Sequence, residues 1–219
     1  MNIHLCFHGI GRCEKEREPG EARYWVSEYV FLTLMDAVAT AASGVVRLSF
    51  DDGNRSDADI AVPALRERRL TATFFPLAGR LCDRASLSAA DLHDLRAAGM
   101  KIGSHGWSHV PWRGLTGPDA MREFVDARLA LEEASGERIS EAALPLGRYD
   151  RGALGWLRGT GYRTVYTSDR YPSRPTSWLQ ARYSVNSEDT AGSVMRMVRR
   201  GPRLTEARNV IASGVKRIR

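Results

Sequence analysis

Cysteine is scarce in this sequence of 219 residues. The three cysteines, Cys6, Cys13 and Cys82, are odd in number and lie far apart. Small secreted domains that depend on disulfides carry an even, closely spaced set, so this pattern argues against a disulfide framework. Reduced thiols are typical of the cytoplasm, and we therefore predict a cytoplasmic protein.

Long apolar runs are also missing. No stretch approaches the roughly 20 consecutive apolar residues that a transmembrane helix needs. Residues 1–7 lack the basic segment, long apolar stretch and cleavage site of a secretory signal. Without repeats, low-complexity tracts or linkers, the sequence favours a single domain over residues 1–219, with a basic helical segment from about residue 190.

The formal charge of +6 is concentrated near the C-terminus, where eight basic residues from Met195 onward accompany one acid, Glu206. The basic residues are Arg196, Arg199, Arg200, Arg203, Arg208, Lys216, Arg217 and Arg219. This segment could make weak contact with an anionic membrane surface, or it could be a solvated helix and tail. No nucleic-acid-binding motif accompanies the charge, so we expect no nucleic-acid partner. The sequence leaves the oligomeric state open.

Short apolar strands alternate with helical segments along the chain. Strands are predicted at 3–7, 45–50, 71–75, 100–103, 141–144, 163–166 and 181–185, and helices at 23–41, 57–68, 88–99, 119–134 and 150–158. One or two basic helices close the chain. Strands separated by helices indicate a parallel sheet.

Polar residues follow several of these strands at their C-terminal ends. They are His8 after the first strand, Asp51 and Asp52 after the second, His105 and His109 after the fourth, and Pro145 and Gly147 after the fifth. A barrel gathers its active site from several strand ends, whereas a doubly wound sheet relies mainly on one switch point. The sequence therefore predicts an α/β fold, a distorted (β/α)7 barrel that is TIM-barrel-like with mostly parallel strands.

Asp51 and Asp52 are adjacent, and neighbouring side chains of a strand point to opposite faces. The two carboxylates share a site only if the chain leaves regular strand geometry there. Gly53 permits such a turn, because glycine adopts backbone angles closed to other residues. Taken alone, the pair is more typical of a solvated loop at a strand end.

His105 and His109 are four residues apart, a spacing that in one helical turn directs both imidazoles at one metal. Two histidines and one carboxylate leave coordination positions of the metal open for water or substrate, and this ligand set suits a catalytic metal. The thermolysin-type signature needs a glutamate after the first histidine, and here that residue is Gly106. Together with the aspartates, the histidines predict one divalent ion, with zinc preferred to iron, cobalt or nickel.

Two motifs resemble those of the NodB-homology polysaccharide deacetylases, carbohydrate esterase family four. Residues 49–53, Ser-Phe-Asp-Asp-Gly, resemble the first motif, and residues 103–109, Gly-Ser-His-Gly-Trp-Ser-His, resemble the second. Residues 71–75 match the strand between them, and the resemblance extends from about residue 45 to 161. It implies a distorted seven-stranded α/β barrel that removes acetyl groups from N-acetylated sugars.

The resemblance also implies a role for each matching residue. Asp52, His105 and His109 would bind the metal, which activates the acetyl carbonyl and water, and Asp51 would be the general base. Leu146 would offer its backbone N–H to the oxyanion of the tetrahedral intermediate. An acid must finally protonate the leaving amine.

Residues 144–147, which include Pro145 and Leu146, resemble the third motif of the family. The chain departs from the family pattern at this motif. That motif usually carries an arginine that steadies the base, but the matching residue here is Ala143. Arg148 or Arg182 would have to replace it.

A second departure concerns the catalytic acid. The usual C-terminal motif with its histidine is missing, since the last histidine of the chain is His109. Residues 5–9, Leu-Cys-Phe-His-Gly, resemble the N-terminal segment of permuted members, the poly-N-acetylglucosamine deacetylases, whose catalytic histidine lies on the first strand. We therefore predict that His8 is the general acid, a role that suits histidine because it exchanges protons near neutrality.

Tryptophans are the candidates for sugar contact. Trp107, between the two histidines, is preferred for stacking on a sugar ring over Trp112 and over Trp25, which we interpret as a core residue of its helix. Without a signal peptide, a cytoplasmic glycan precursor is preferred to a cell-wall polymer.

Three functions stay open. We favour a metal-dependent sugar N-deacetylase acting on an N-acetylated polysaccharide, oligosaccharide or glycan precursor. A metal hydrolase of another amide, such as a cyclic imide, would be indicated by a small closed pocket. A non-catalytic carbohydrate-binding relative is the third. The arginine missing at Ala143 favours it, whereas the intact set of Asp51, Asp52, His105 and His109 argues against it.

Overall fold

The computed structural model describes residues 1–41, 46–199 and 204–219. The strands are β1 (Ile3–Phe7), β2 (Gly9–Ile10), β3 (Trp25–Val26), β4 (Val46–Asp52), β5 (Ala72–Pro76), β6 (Lys101–Ile102), β7 (Glu141–Ala143), β8 (Thr164–Thr167) and β9 (Leu179–Ser184). The helices are α1 (Glu28–Thr40), α2 (Val62–Glu67), α3 (Ala89–Ala97), α4 (Gly117–Met121), α5 (Ala127–Ser135), α6 (Arg151–Gly159), α7 (Ala191–Arg199) and α8 (Leu204–Ile218). Single turns of π-helix at Asp57–Ala61 and Arg122–Asp126 precede α2 and α5.

Seven of the strands form one sheet in the order β6-β5-β4-β1-β9-β8-β7. All six pairings in this sheet are parallel. An isolated parallel bridge between Ser104 and Ala142 joins the two ends of the order, just beyond β6 and within β7. The sheet therefore curls into a nearly closed barrel with surrounding helices, and the predicted distorted (β/α)7 fold is confirmed.

Aromatic packing fixes which side chains enter the barrel. Phe7, Phe50 and Phe74 stack across β1, β4 and β5, with ring centroids 5.3 and 4.6 Å apart. Phe31 of α1 meets Phe7 edge to face at 5.3 Å. Each such pair contributes about 0.5–1.5 kcal/mol beyond its buried area. Side chains alternate between the two faces of a strand. Because Phe50 faces α1, the next residue, Asp51, points to the inside of the barrel.

The segment before α1 differs from the prediction. The helix begins after Ser27, whose hydroxyl accepts the Val30 N–H at 3.3 Å, and not at residue 23. The residues before it form a 3₁₀ turn and β3, which pairs with β2 in a small second sheet. The interpretation of Trp25 as a helix residue is therefore wrong. Its ring lies over Gly9, where an added Cβ would come within 2.3 Å of the indole.

Other boundaries lie close to the predicted ones. The second predicted strand was expected to start at Val45, which lies outside the described residues, and the observed β4 continues through both aspartates. The helix predicted at 119–134 is built from α4, a π-helical turn and α5.

The basic C-terminal segment forms α7 and α8, while Arg200 and Arg203 lie outside the described residues. Val194 and Met195 of α7 join the hydrophobic core of the barrel. Across the described ranges, every helix is too short or too polar to cross a bilayer.

Candidate active site

The two adjacent aspartates reach one cavity because the backbone turns at Asp52. Asp52 has φ 71° and Gly53 has φ 64°, both in the left-handed region. That conformation costs a non-glycine residue about 1–3 kcal/mol and persists only where the surroundings hold it. The expected departure from strand geometry thus begins at Asp52 itself. Both carboxylates line the same cavity.

Asp51 is held by a buried, two-pronged ion pair. Arg182 Nη1 donates to Oδ1 at 2.7 Å and Nη2 donates to Oδ2 at 2.6 Å. Arg182 also donates to Ser49 Oγ at 3.0 Å. Burial opposes ionisation of Asp51, but the charge and hydrogen bonds of Arg182 outweigh it, and the pKa of Asp51 is lowered. The carboxylate therefore stays ionised and fixed in orientation.

This arginine takes the place of the one missing from the third motif. Ala143 is fully buried, and Arg182 reaches Asp51 from β9, which lies two strands away from β4 across β1. The alternative candidate, Arg148, lies at the cavity lining and is exposed. Arg182 is thus the partner of Asp51.

His105 and His109 lie on an irregular loop, so the predicted helical turn is wrong. The carboxylate of Glu123 shapes this loop by accepting the N–H groups of Trp107 at 2.8 Å and Ser108 at 3.0 Å. The loop passes so close that a Cβ at position 106 would lie 2.3 Å from Oε2 of Glu123. The two imidazole centroids are nevertheless 5.1 Å apart, so the loop brings both rings to one place.

Each imidazole is oriented by a hydrogen bond on its far side. His105 Nδ1 donates to the Ala143 carbonyl at 2.9 Å, and His109 Nδ1 lies 2.6 Å from Glu18 Oε1. A carbonyl and a carboxylate only accept, so both Nδ1 atoms carry the hydrogen, and in the neutral imidazoles both Nε2 atoms point a lone pair into the site. This is the arrangement that orients histidine ligands in metal sites.

These lone pairs converge on Asp52. Its Oδ1 lies 3.4 Å from His105 Nε2 and 3.3 Å from His109 Nε2. The ligand atoms of the three residues lie within 4.8 Å of one another. Asp52 Oδ1 and His105 Nε2 are buried without a hydrogen-bond partner. Donors that bind one ion at about 2 Å lie about 3–4 Å apart, so the three residues fit a divalent metal.

Electrostatic coupling between these groups shifts each pKa. Burial opposes ionisation of Asp52, but the nearby imidazoles of His105, His8 and His109 hold its pKa well below the ordinary value. Burial disfavours the imidazolium of His105, yet Asp51 and Asp52 outweigh it and raise the pKa of His105. At His109 burial dominates and the pKa is lowered. Asp52 is therefore held in its ionised form, which can bind a cation.

A second cluster, Cys6, His8 and Asp51, also places its possible ligand atoms within 4.8 Å of one another. It fits a metal less well. Both oxygens of Asp51 accept hydrogen bonds from Arg182, and burial raises the pKa of the Cys6 thiol well above its usual value. A protonated thiol is not a metal ligand.

Another buried carboxyl, Asp57, has no hydrogen-bond partner on either oxygen. Burial, followed by repulsion from Asp52 and Asp51, raises the pKa of Asp57 well above its usual value. Its surroundings therefore favour the protonated, uncharged form of Asp57.

His8 lies at the opposite side of Asp52 from the other two histidines. Its Nδ1 is 3.4 Å from Asp52 Oδ2, and its Nε2 is 3.5 Å from Ser184 Oγ. The ring meets that of Tyr24 edge to face at 5.0 Å. His8 is not part of the Asp52 ligand cluster, and it faces the cavity from the end of β1 as predicted.

The cavity has a volume of about 290 Å³. It is lined by His8, Glu18, Pro19, Gly20, Glu21, Tyr24, Asp51, Asp52, Arg80, His105, His109, Leu144, Leu146, Arg148, Ser168 and Ser184. Leu146 has φ 55°, and Pro145 is buried in the same 3₁₀ turn. The structure therefore brings Leu146 to the cavity, while Pro145 is buried in the turn behind it.

The predicted tryptophans lie elsewhere. Trp107 is outside the described lining of the cavity, beneath the guanidinium of Arg122 at 4.8 Å. Trp112 is fully buried in the core beside Phe124. Among the described residues that line the cavity, Tyr24 is the aromatic side chain in a position to contact a sugar ring.

Sequence reasoning missed several residues of this site. Glu18 holds His109 and also accepts a hydrogen bond from Arg80 at 2.9 Å. Glu18 and Tyr24 belong to the irregular segment between β2 and β3, which has no periodic pattern. Glu123 is buried on a π-helical turn, and the sequence alone gives no sign of that burial.

The sequence profile described as polysaccharide deacetylase matches residues 39–165, more than half of the chain. The chain belongs to the polysaccharide deacetylase family. This confirms the resemblance seen in the motifs around Asp51 and His105.

Curated relatives are more distant. A chitin deacetylase of Colletotrichum lindemuthianum is 26% identical over 126 residues, which cover 57% of this chain and 51% of that protein. YxkH of Bacillus subtilis (strain 168) is 25% identical over 124 residues, which cover 57% of this chain and 44% of that protein. The chain thus spans about half the length of these curated relatives.

Solved structures share the fold over most of the chain. The Streptococcus pyogenes deacetylase PplD in complex with acetate has a TM-score of 0.79 at 18% identity, covering 91% of this chain and 98% of PplD. IcaB from Ammonifex degensii has a TM-score of 0.75 at 20% identity, covering 90% of this chain and 97% of IcaB. At these identities the likeness concerns the fold.

Proposed function

We propose that the protein is a metal-dependent hydrolase that removes the acetyl group from an N-acetylated sugar. The observation that carries the proposal is the pairing of Asp51, ionised and held by Arg182, with the neighbouring cluster of Asp52, His105 and His109. One carboxylate is thereby reserved for proton transfer while the other is free to bind a cation. Family membership points to the same chemistry.

The metal would be held by Asp52, His105 and His109, with zinc preferred. When bound it supplies Lewis acidity toward the acetyl carbonyl and the attacking water. The protein's own contribution to that site is the orientation of both imidazoles, through Ala143 and Glu18, and the exclusion of bulk water from the buried Asp52.

The remaining steps fall to side chains around the cluster. Asp51 accepts the proton of the attacking water, and Arg182 keeps it ionised and aimed. The backbone N–H of Leu146 donates to the oxygen that becomes negative as the carbonyl carbon turns tetrahedral. His8 donates a proton to the departing amine, so that the C–N bond breaks and acetate and the free amino sugar leave.

The small volume of the cavity is the observation that favours the alternative function, hydrolysis of a cyclic amide. About 290 Å³ lies at the lower end of the range for small-molecule sites. It accommodates one sugar unit with the rest of a chain outside, and it would also suit a small cyclic amide. The same catalytic residues would hydrolyse either bond.

Acetate release separates these substrates. We expect N-acetylated oligosaccharides to release acetate when a divalent metal is supplied and not after chelation, while a cyclic imide stays intact. Asp51→Asn should keep the fold and the metal and lose about 10² or more in rate, because the base is gone. Ring opening of the imide without acetate release would instead support the alternative, and release by neither would favour a non-catalytic carbohydrate-binding protein.

Metal binding is a second expected result. The purified protein should bind about one divalent ion per chain, as three protein ligands imply. His105→Ala and His109→Ala should each abolish most of the binding in a titration with zinc. His93→Ala, which changes an exposed histidine on α3, is the matched control and should bind like the unaltered protein. Undiminished binding in both His105→Ala and His109→Ala would contradict the assignment.

A further inference from the structure

Helix α8 is amphipathic in the reverse sense from the usual surface helix. Its large apolar side chains face outward, with Leu204 91%, Ile211 70%, Val215 49% and Ile218 79% exposed. These residues recur at intervals of seven, four and three, so they form one stripe along the helix. Surface helices ordinarily bury such a stripe against the core.

The opposite, polar face of α8 attaches the helix to the barrel. Tyr183 donates to Glu206 at 2.7 Å, and Asn209 donates to the Arg170 carbonyl at 3.1 Å. The buried hydroxyl of Ser213 lies 3.0 Å from that of Tyr149.

Lys216 fixes the C-terminal end of the helix. Its Nζ donates to Asp169 Oδ1 at 2.7 Å and to the Gly147 carbonyl at 3.1 Å. Gly147 follows Leu146, which lines the cavity. The orientation of α8 is therefore set by polar contacts along its length, and Lys216 near its C-terminal end contacts the turn that contains Leu146.

A basic groove of about 720 Å³ lies along one flank of α8. Val210 and Arg217 of α8 form one side, and Arg151, Arg158 and Arg174 contribute three more guanidinium groups. The Arg158 guanidinium stacks on Trp178 at 4.5 Å. None of the described residues that line the groove is acidic.

We propose that this face docks on an anionic lipid membrane, with the apolar stripe of α8 in the interfacial region and lipid phosphates in the basic groove. An amphipathic helix with cations beside its apolar stripe has the chemistry of a membrane-surface helix. A second copy of the chain is a poorer partner. Arg208 follows Leu204 by four residues and so lies next to the apolar stripe, and a symmetric contact through the stripe would bring the Arg208 side chains of both copies together, where their positive charges repel. The one acid of α8, Glu206, is engaged by Tyr183 on the side of the barrel.

Vesicle co-sedimentation tests the proposal on the full chain. The protein should bind vesicles of equal phosphatidylglycerol and phosphatidylcholine, bind pure phosphatidylcholine vesicles weakly, and dissociate as salt is raised. The triple variant Leu204→Ser, Ile211→Ser, Ile218→Ser should bind at least about tenfold more weakly. Its substitutions are exposed, so its thermal unfolding midpoint should match that of the unaltered protein.

Two further variants complete the design. Arg158→Gln with Arg174→Gln should remove the preference for phosphatidylglycerol. Leu129→Ser, an exposed apolar residue of α5, is the matched control and should bind like the unaltered protein.

Three outcomes would overturn the proposal. The triple serine variant could bind vesicles as well as the unaltered chain. The unaltered chain could be a dimer without lipid that this variant converts to a monomer, which would identify a second copy as the partner. Glycerol phosphate could bind in the groove while vesicles do not, which would identify a free phosphate ligand.

Discussion

Replacing Arg182 with methionine should lower the free energy of unfolding by about 3–5 kcal/mol, the usual cost of leaving a buried charge without its partner. Arg182 is fully buried, and both of its Nη atoms donate to Asp51. Activity should fall as well, because the carboxylate loses its orientation. Urea unfolding and acetate release measure the two effects.

The pH dependence provides a separate readout of the same change. Arg182 lowers the pKa of Asp51, so the pair stabilises the fold above the pKa of an unfolded aspartate, and this contribution is lost as pH falls through the lower folded pKa. Without Arg182 the pKa of Asp51 rises. The acid limb of kcat/KM should therefore move to higher pH in Arg182→Met.

Two companion variants make this prediction specific. Asp51→Asn combined with Arg182→Met removes both charges, and it should recover much of the stability while remaining inactive. Arg148→Met changes an exposed arginine of the same cavity, and it should alter stability by no more than about 0.5 kcal/mol. Equal stability of Arg182→Met and the unaltered protein would show that the ion pair does not matter.

His8→Ala should lose about 10²–10⁴ in kcat, the range expected for removal of a general acid. His8 faces the cavity next to Asp52 but lies outside the metal cluster, so zinc binding should be retained. The protonated imidazole is the active form, and the fall of kcat/KM at high pH should disappear in the variant.

Imidazole in solution distinguishes a proton donor from a structural residue. Added imidazole should restore part of the rate of His8→Ala, whereas a misfolded variant would gain nothing. His93→Ala serves as the histidine control. A His8→Ala protein with a near-normal rate and an unchanged alkaline limb would require another acid.

The barrel and the centre of the site could be predicted because local patterns encode them. Alternation of apolar strands with helices indicated the parallel sheet, and the strand ends placed His8, Asp51 and Asp52 on one face. The ligand chemistry of the histidine pair was predicted correctly, but the helical turn that was expected to bring the two rings together is not present. Its convergence depends on contacts of Glu123 that spacing does not reveal.

Residues that act across long sequence separations could not be identified in this way. Arg182 and Asp51 are 131 positions apart, and their meeting depends on strand order and register. The strands β2 and β3 have two residues each, too few for a pattern. In α8 the periodicity marks an apolar stripe, but which side faces the protein is decided by its polar partners, such as Tyr149 and Asp169.

The placement of Arg182 has a consequence for how related sequences are sorted. A survey that judged catalytic competence by an arginine at the position of Ala143 would count this chain among the inactive members. Here the guanidinium that contacts Asp51 belongs to Arg182, on a strand two places from that of Asp51, and not to the position of Ala143. A better criterion is whether any strand delivers an arginine to the barrel interior opposite the base, wherever it lies in the alignment.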